Sequence, residues 1–179
     1  ANDIKLVTTF DLKAGVKIKD LKISYPDGAY IADAKTVTVK VSLLPLIFKT
    51  VRVSDVAIER PHCEIKYLKD GQADIVKYFT EQSAHKDSKT SSPQELPFKF
   101  SEKLPKVDLK DYNFVIKDDV SEHKLAIKGN SFVFDDAVLN KHFKIETDGK
   151  VLINDKQNVN FDVAVTSFWP AVEQKTKVK

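Results

Sequence analysis

Residues 16–23 read V-K-I-K-D-L-K-I, residues 51–58 read V-R-V-S-D-V-A-I, and residues 107–114 read V-D-L-K-D-Y-N-F. Each octet runs apolar, polar, apolar, polar, Asp, apolar, polar, apolar. Alternation with period two marks a strand with one apolar face, because successive side chains point to opposite sides. The alternation slips by one residue at Asp20, Asp55 and Asp111 and then resumes. An inserted residue of this kind is a β-bulge, which returns the following side chains to the original face and bends the strand. Three bulged octets predict a mostly β chain: a curved, bulged, largely antiparallel sheet, an open groove or half-barrel, with one or two short helices.

Working outward, strands are predicted at 4–10, 14–25, 30–41, 51–60, 62–69, 106–118, 123–135, 141–153 and 157–167. Segment 30–41 alternates strictly, with Val37, Val39 and Val41 on one face and Thr36, Thr38 and Lys40 on the other. Pro26-Asp27-Gly28 and Asp70-Gly71 read as turns, and Asp148-Gly149 as a hairpin signal inside 141–153. The run S-L-L-P-L-I-F at 42–48 is too short to span a bilayer, and Pro45 argues against a mid-strand position. It reads as a short helix or turn with Ser42 as cap, in which Leu43, Leu44, Leu46, Ile47 and Phe48 plug one end of the sheet. A second short helix is expected over 74–82, capped by Asp74, with Ile75, Tyr78 and Phe79 on one side. Residues 83–97, rich in Ser, Lys, Thr and Gln with two prolines, read as a linker. It separates an amino-terminal curved unit with the plug, 1–82, from a second β unit, 98–179, that continues the sheet. Trp169-Pro170 ends the last alternation, and the lysine-rich residues beyond read as frayed.

Composition narrows the function classes. The chain of 179 residues is 42% hydrophobic, weighted to Val, Ile and Phe, with only 5 Gly, which favours regular strands over disorder. Net charge is +3 and the cations are Lys except for Arg52 and Arg60, so the Arg forks and dense basic stripe of a nucleic-acid reader are missing. Scattered Lys protects a sheet from aggregation and adds a secondary attraction to anionic headgroups. Cys63 is the sole cysteine, which rules out an intrachain disulfide and a Cys-based metal cage. No apolar run is long enough for a membrane helix, and no export signal begins at Ala1. Met is absent even at position 1, from which an excised segment of a longer protein is expected.

Candidate chemistry is sparse. In a strand, His62 and Glu64 face one way and Cys63 the other, so they form no nucleophile–base pair. His85, His123 and His142 are scattered without metal-ligand spacing. Asp20, Asp55 and Asp111 suggest calcium only until their surroundings are read. No D-x-D-x-D-G loop encloses any of them, and Asp suits a bulge because its short side chain bonds local amides. Glycine-rich phosphate loops, a G-x-S-x-G elbow and paired catalytic carboxylates are absent from the sequence. The expectation is a non-enzymatic chain with no cofactor, no metal and no nucleic-acid partner.

The apolar stripes carry the remaining information. A curved sheet with one apolar face must cover it with a second layer, close into a barrel, or fill it with a ligand. Two short helices are too little cover. Either the two halves pack face to face as a sandwich, or Val16, Ile18, Leu21, Ile23, Val37, Val39, Val41, Val51, Val53, Val56, Ile58, Leu109, Tyr112, Phe114 and Ile116 line a groove for lipid acyl chains.

The stretch 42–71, S-L-L-P-L-I-F-K-T-V-R-V-S-D-V-A-I-E-R-P-H-C-E-I-K-Y-L-K-D-G, resembles the amino-terminal region of the AsmA-like family of bacterial envelope proteins. The preceding G-V-K-I-K-D-L-K-I-S-Y-P-D-G and A-K-T-V-T-V-K-V fit the same pattern. The matching positions are Val16, Ile18, Leu21, Ile23, Pro26, Gly28, Leu43, Leu44, Pro45, Leu46, Val51, Val53, Val56, Ile58, Pro61 and Gly71. The likeness covers roughly residues 14–80 and thins to general style over 104–167. It implies tethering to the inner membrane by a helix upstream of Ala1 and projection into the periplasm. It also implies kinship with TamB-like and chorein-like β-groove proteins, whose trough conducts phospholipid and is capped by a short plug helix. The chain departs from the family in lacking the anchor and in being too short for a trough across the periplasm. The resulting expectation is a periplasmic segment that binds or conducts phospholipid acyl chains in envelope lipid homeostasis. The alternative is a non-catalytic β-sandwich scaffold that joins envelope proteins by strand addition at an open edge. A thiol enzyme built on Cys63 ranks third.

Overall fold

A computed structural model describes residues 3–26, 28–84, 98–138, 141–168 and 177–178. In chain order the elements are β1 (Asp3–Thr9), β2 (Lys13–Ser24), β3 (Tyr30–Ser42), α1 (Leu44–Ile47), β4 (Thr50–Val51), β5 (Val53–Glu59) and β6 (His62–Tyr67). There follow α2 (Asp74–Ala84), β7 (Lys99–Phe100), β8 (Lys106–Asp118), β9 (Lys124–Val138), β10 (His142–Ile153), β11 (Gln157–Phe168) and β12 (Lys177–Val178). The predicted linker, apart from the two residues that end α2, and the Trp169-Pro170 stop lie outside the described residues.

Ten strands form one mixed sheet in the order β1-β2-β3-β5-β8-β9-β10-β11-β12, with β6 continuing the line of β5 between β3 and β8. Neighbours are antiparallel except where β5 and β6 run parallel to β8. That parallel seam joins the halves edge to edge, so the sandwich of two facing sheets does not form. Nor does the sheet close into a barrel. The short strands β4 and β7 make a separate parallel ladder, and Val51 pairs there with Phe100. Lys177 and Val178, expected to fray, pair with Thr166 and Val165.

The sheet bends along a crease. From Ile18 to Leu21 on β2, and from Val37 to Ala34 on β3, two residues separate successive apolar positions where alternation calls for one. The same doubling occurs from Ile58 to Pro61, from Leu109 to Tyr112 and from Phe132 to Gly129. The doubled residues lie opposite one another, so β2, β3, β5/β6, β8 and β9 stay in mutual register through the irregularity. β10 and β11 have no extra residue, and the mismatch is absorbed by a register shift between Asp148 and Lys150. Asp20 (φ 48°), Arg60 (φ 52°) and Asp111 (φ 54°) adopt the left-handed conformation on this line. Asp tolerates that region better than most residues. At Arg60 the chain is tied by its N–H to the Lys110 carbonyl at 2.7 Å, and the buried Pro61 sits where the ladder is interrupted.

Two local expectations are corrected, and the bulge predicted at Asp55 forms, but off the crease. The Asp55 octet carries a register-shifting bulge against β3, with Lys40 opposite Asp55 and Val41 opposite Val53, and Arg60 takes the crease position instead. Asp148-Gly149 makes no hairpin, because β10 runs through it unbroken. A Cβ on Gly149 would lie 2.4 Å from the Lys128 carbonyl oxygen and 2.9 Å from Phe161 Cζ, so glycine is required there by close approach. Ser42 ends β3 and does not cap α1; the N-cap position is Leu43, which makes no side-chain cap, and Pro45 lies in the first turn.

Candidate functional site

Side chains paired across neighbouring strands project to the same face. The ladder therefore sorts the apolar residues into transverse rows. One row runs Leu6, Val16, Val39, Val56, Val107, Phe134, Ile145, Val165 from β1 to β11. The next runs Ile4, Ile18, Val37, Ile58, Leu109, Phe132, Thr147, Val163. Beyond the crease a third row runs Ile23, Ala32, Cys63, Phe114, Ile127, Val151, Val159, and Ile65, Ile116, Leu125 and Ile153 begin a fourth. Seven strand spacings of about 4.8 Å make each full row roughly 34 Å wide.

Tyr112 shows that both sides of the crease share one face. Its ring crosses Gly129, where a Cβ would lie 2.2 Å from Tyr112 Cζ. Its hydroxyl lies 2.8 Å from Thr147 Oγ1 in the second row and donates to the Asp148 carbonyl at 3.1 Å. The doubled residues thus restore facing, as the octets predict, and the apolar surface is continuous.

That surface is half-covered. α1 packs against β4 and α2 against β6, and along the rows Val39 is 36% and Ile23 46% exposed. Among the described residues no large side chain is fully buried; the buried apolar ones are Ile31, Ala34, Tyr112, Val115, Ala126 and Ala137. The reverse face is charged near the crease, where Asp3, Lys19, Thr36, Glu59, Lys110, Ser131, Asp148 and Asp162 form one row across it. Beyond the crease Glu64, Val115, Ala126 and Leu152 form a mainly apolar row on that face, in which Val115 and Ala126 are buried.

Of the residues singled out in the sequence, Val16, Ile18, Leu21, Ile23, Val37, Val39, Val56, Ile58, Leu109, Tyr112, Phe114 and Ile116 fall on this surface. Val41 and Val53 form a pair at its lower margin. Val51 leaves the sheet for the β4–β7 ladder. The octets did not reveal the contribution of β9 to β11, where Phe132, Phe134, Ile145, Val163 and Val165 complete the rows. Plain alternation in those strands held the signal.

Cys63 belongs to the third row, and burial, then the Asp74 carboxylate, pushes its thiol up from the ordinary 9.0. That direction is opposite to an activated nucleophile's. His62 points to the reverse face, with Nδ1 2.9 Å from the Asn113 side-chain amide. Among the described residues no cluster of three His, Cys, Asp or Glu could hold a metal. Asp55 is instead an ion-pair partner. Burial pushes its carboxyl up, but the Ser54 hydroxyl at 2.7 Å and Lys13 Nζ at 3.0 Å hold it below its usual value.

The strand ends differ from each other. At the basal corner, the β1–β2 turn, α1, β4 and β7 are knitted by backbone bonds from Leu43 N to Leu12 O, Ser42 N to Arg52 O and Lys99 N to Lys49 O. The predicted plug lies here, yet only Leu46 is half-buried, and Leu43, Leu44, Ile47 and Phe48 face solvent. At the apical end the turns after β6, β8 and β10 carry Asp70, Asp118, Asp119, Asn154 and Asp155, with Val120 exposed among them. No helix among the described residues is long and apolar enough to cross a membrane. No family model matches the chain, and no curated protein matches it.

Proposed function

We propose that this chain is a lipid-handling segment of an envelope protein similar to the AsmA-like family, holding phospholipid acyl chains against the apolar face of its sheet. The observation that carries the reading is the set of continuous apolar rows, eight strands wide, with no second sheet over them among the described residues. No chemical step is involved. Acyl chains replace water on the rows, at about 0.8 kcal/mol for each methylene removed from water, while headgroups stay at the rim. On this reading the chain works in the periplasm beside the inner membrane, tethered by a segment upstream of Ala1.

Mass spectrometry of the gently purified chain, with titration of a fluorescent phospholipid, tests the reading. Co-purified phospholipid and saturable binding are expected, and both should be lost in Ile23→Asp and Val39→Asp. These positions are exposed enough for the fold to survive, which circular dichroism checks. A lipid-free chain without saturable binding ends the proposal.

A second reading is favoured by one observation. Among the described residues β1 pairs only with β2, leaving an open edge on which Ile4 and Leu6 are exposed. A scaffold that recruits an envelope protein by strand addition would use that edge. Pull-down of a partner that is lost on Leu6→Pro would favour it over the groove.

A further inference from the structure

We propose that the basal corner is a docking surface for an anionic bilayer, with Phe10, Ile47, Phe48 and Phe100 entering the interface and Lys49 and Lys99 meeting phosphate headgroups. Phe10 is fully exposed, Ile47 is 75%, Phe48 79% and Phe100 71% exposed. They come from three segments distant in sequence: the β1–β2 turn, the end of α1 and the strand β7. The backbone bonds between these segments bring them to one corner. Large apolar side chains concentrated on turns, with nothing among the described residues over them, mark an interaction surface more than a sheet face awaiting its core.

Charge selects the occupant. Residues 10–13, 43–52 and 98–104 hold the cations Lys13, Lys49, Arg52, Lys99 and Lys103 against the acids Asp11 and Glu102, a net of +3. That equals the net charge of the whole chain. Among the described residues Lys49, Lys99 and Lys103 form no ion pair, whereas Lys13 is held by Asp11 at 2.9 Å and Asp55 at 3.0 Å. A second copy docking corner to corner would oppose like charges. One docking by its apical end would bring acid, since the described apical segments, 25–26, 28–29, 68–78, 118–123 and 154–156, hold three Lys against six Asp or Glu, but only Val76 and Val120 as exposed large apolar side chains there. A membrane with anionic headgroups offers both negative charge and an apolar interior. Docking does not require the rows to hold lipid.

Flotation of the full chain with phosphatidylcholine vesicles, with and without phosphatidylglycerol, is the test. The chain should float with the anionic vesicles, far less with neutral ones, and progressively less as salt rises. The double variant Ile47→Ser/Phe48→Ser should lower partitioning roughly a hundredfold with an unchanged thermal melt, since both side chains face solvent. Lys49→Gln/Lys99→Gln should weaken binding and flatten its salt dependence. Absence of wild-type flotation, or undiminished flotation of both double variants, overturns the proposal. So does a dimer in analytical ultracentrifugation that Ile47→Ser/Phe48→Ser dissolves, because a second copy then covers the corner. Ile23→Asp separates this proposal from the groove: it should still float while failing to take up monomeric phospholipid.

Discussion

At the apical end, carboxylates tie the turns. Asp118 accepts from Val120 N at 2.8 Å and from the Ser121 hydroxyl at 2.6 Å, Asp70 accepts from Gln72 N at 3.0 Å, and Asp155 pairs with Lys124 at 2.9 Å. At the basal corner the corresponding chain reversals expose Phe10, Leu44, Ile47 and Phe48, and α1 lacks a side-chain cap. Both ends close the same long strands, so strand geometry does not dictate the contrast. An end that meets only water satisfies its own polar groups locally. An end whose large apolar groups stay uncovered by the described residues is the one the proposed bilayer contact would use.

The first way to break the comparison is to remove the line between the two ends. Gly129→Val would drive a side chain into Tyr112 and the Asp148 carbonyl, costing about 3 kcal/mol. Urea unfolding should show a large drop in midpoint, and a wild-type midpoint would mean that the crease is not closely packed there.

Next, the ends should separate by readout. Phe10→Ser should reduce flotation with anionic vesicles while moving stability by no more than about 0.5 kcal/mol. Asp118→Ala should do the reverse, lowering the melting temperature modestly and leaving flotation intact. If either variant moved both readouts together, the division of labour between the ends would fall.

Acid gives a finer version. The Ser121 hydroxyl, followed by the Val120 N–H, holds the Asp118 carboxyl below its ordinary 3.8. A depressed carboxyl stabilises the fold above its unfolded value, and that contribution disappears as pH falls through the folded value. The melting difference between wild type and Asp118→Ala should therefore be full at neutral pH and vanish in acid below 3.8. A difference that persisted there would assign the effect to packing.

The smallest expected signal comes from Cys63, between the ends on the third row. Its thiol, raised by burial and Asp74, should react slowly with maleimide at neutral pH and more slowly still once phospholipid is bound. Fast labelling unaffected by phospholipid would place Cys63 outside the lipid-covered area.

Most strands were legible because each announces itself within a few residues: the alternation of Val37, Val39 and Val41 needs no knowledge of the rest of the chain. The crease was half legible. Asp20 and Asp111 mark it as their octets imply, but the octet of Asp55 is identical in pattern and lies elsewhere, since only pairing with β3 and β8 shows that Arg60 is level with Asp111. Gly149 read as a turn for the same reason: a close approach between β9, β10 and β11 leaves no local trace. In the apolar run at 42–48, amino-acid type signals a wish for cover but not whether the chain supplies it. The rows were legible as stripes on single strands, and their continuity across the sheet depends on register.

The crease behaves as a line defect does in a crystal lattice. Such a line cannot stop in the interior; it must reach a border or be annihilated by a compensating fault. Among the described residues it reaches the border at Asp3, the first residue of β1, opposite Lys19, and is annihilated at the shift around Gly149. Deleting one residue from a single member strand would therefore not erase the line. It would create a second fault beside it and turn every side chain downstream on that strand through the sheet. Length changes at this level are tolerable only in concert across the five strands, or at the two places where the line already ends.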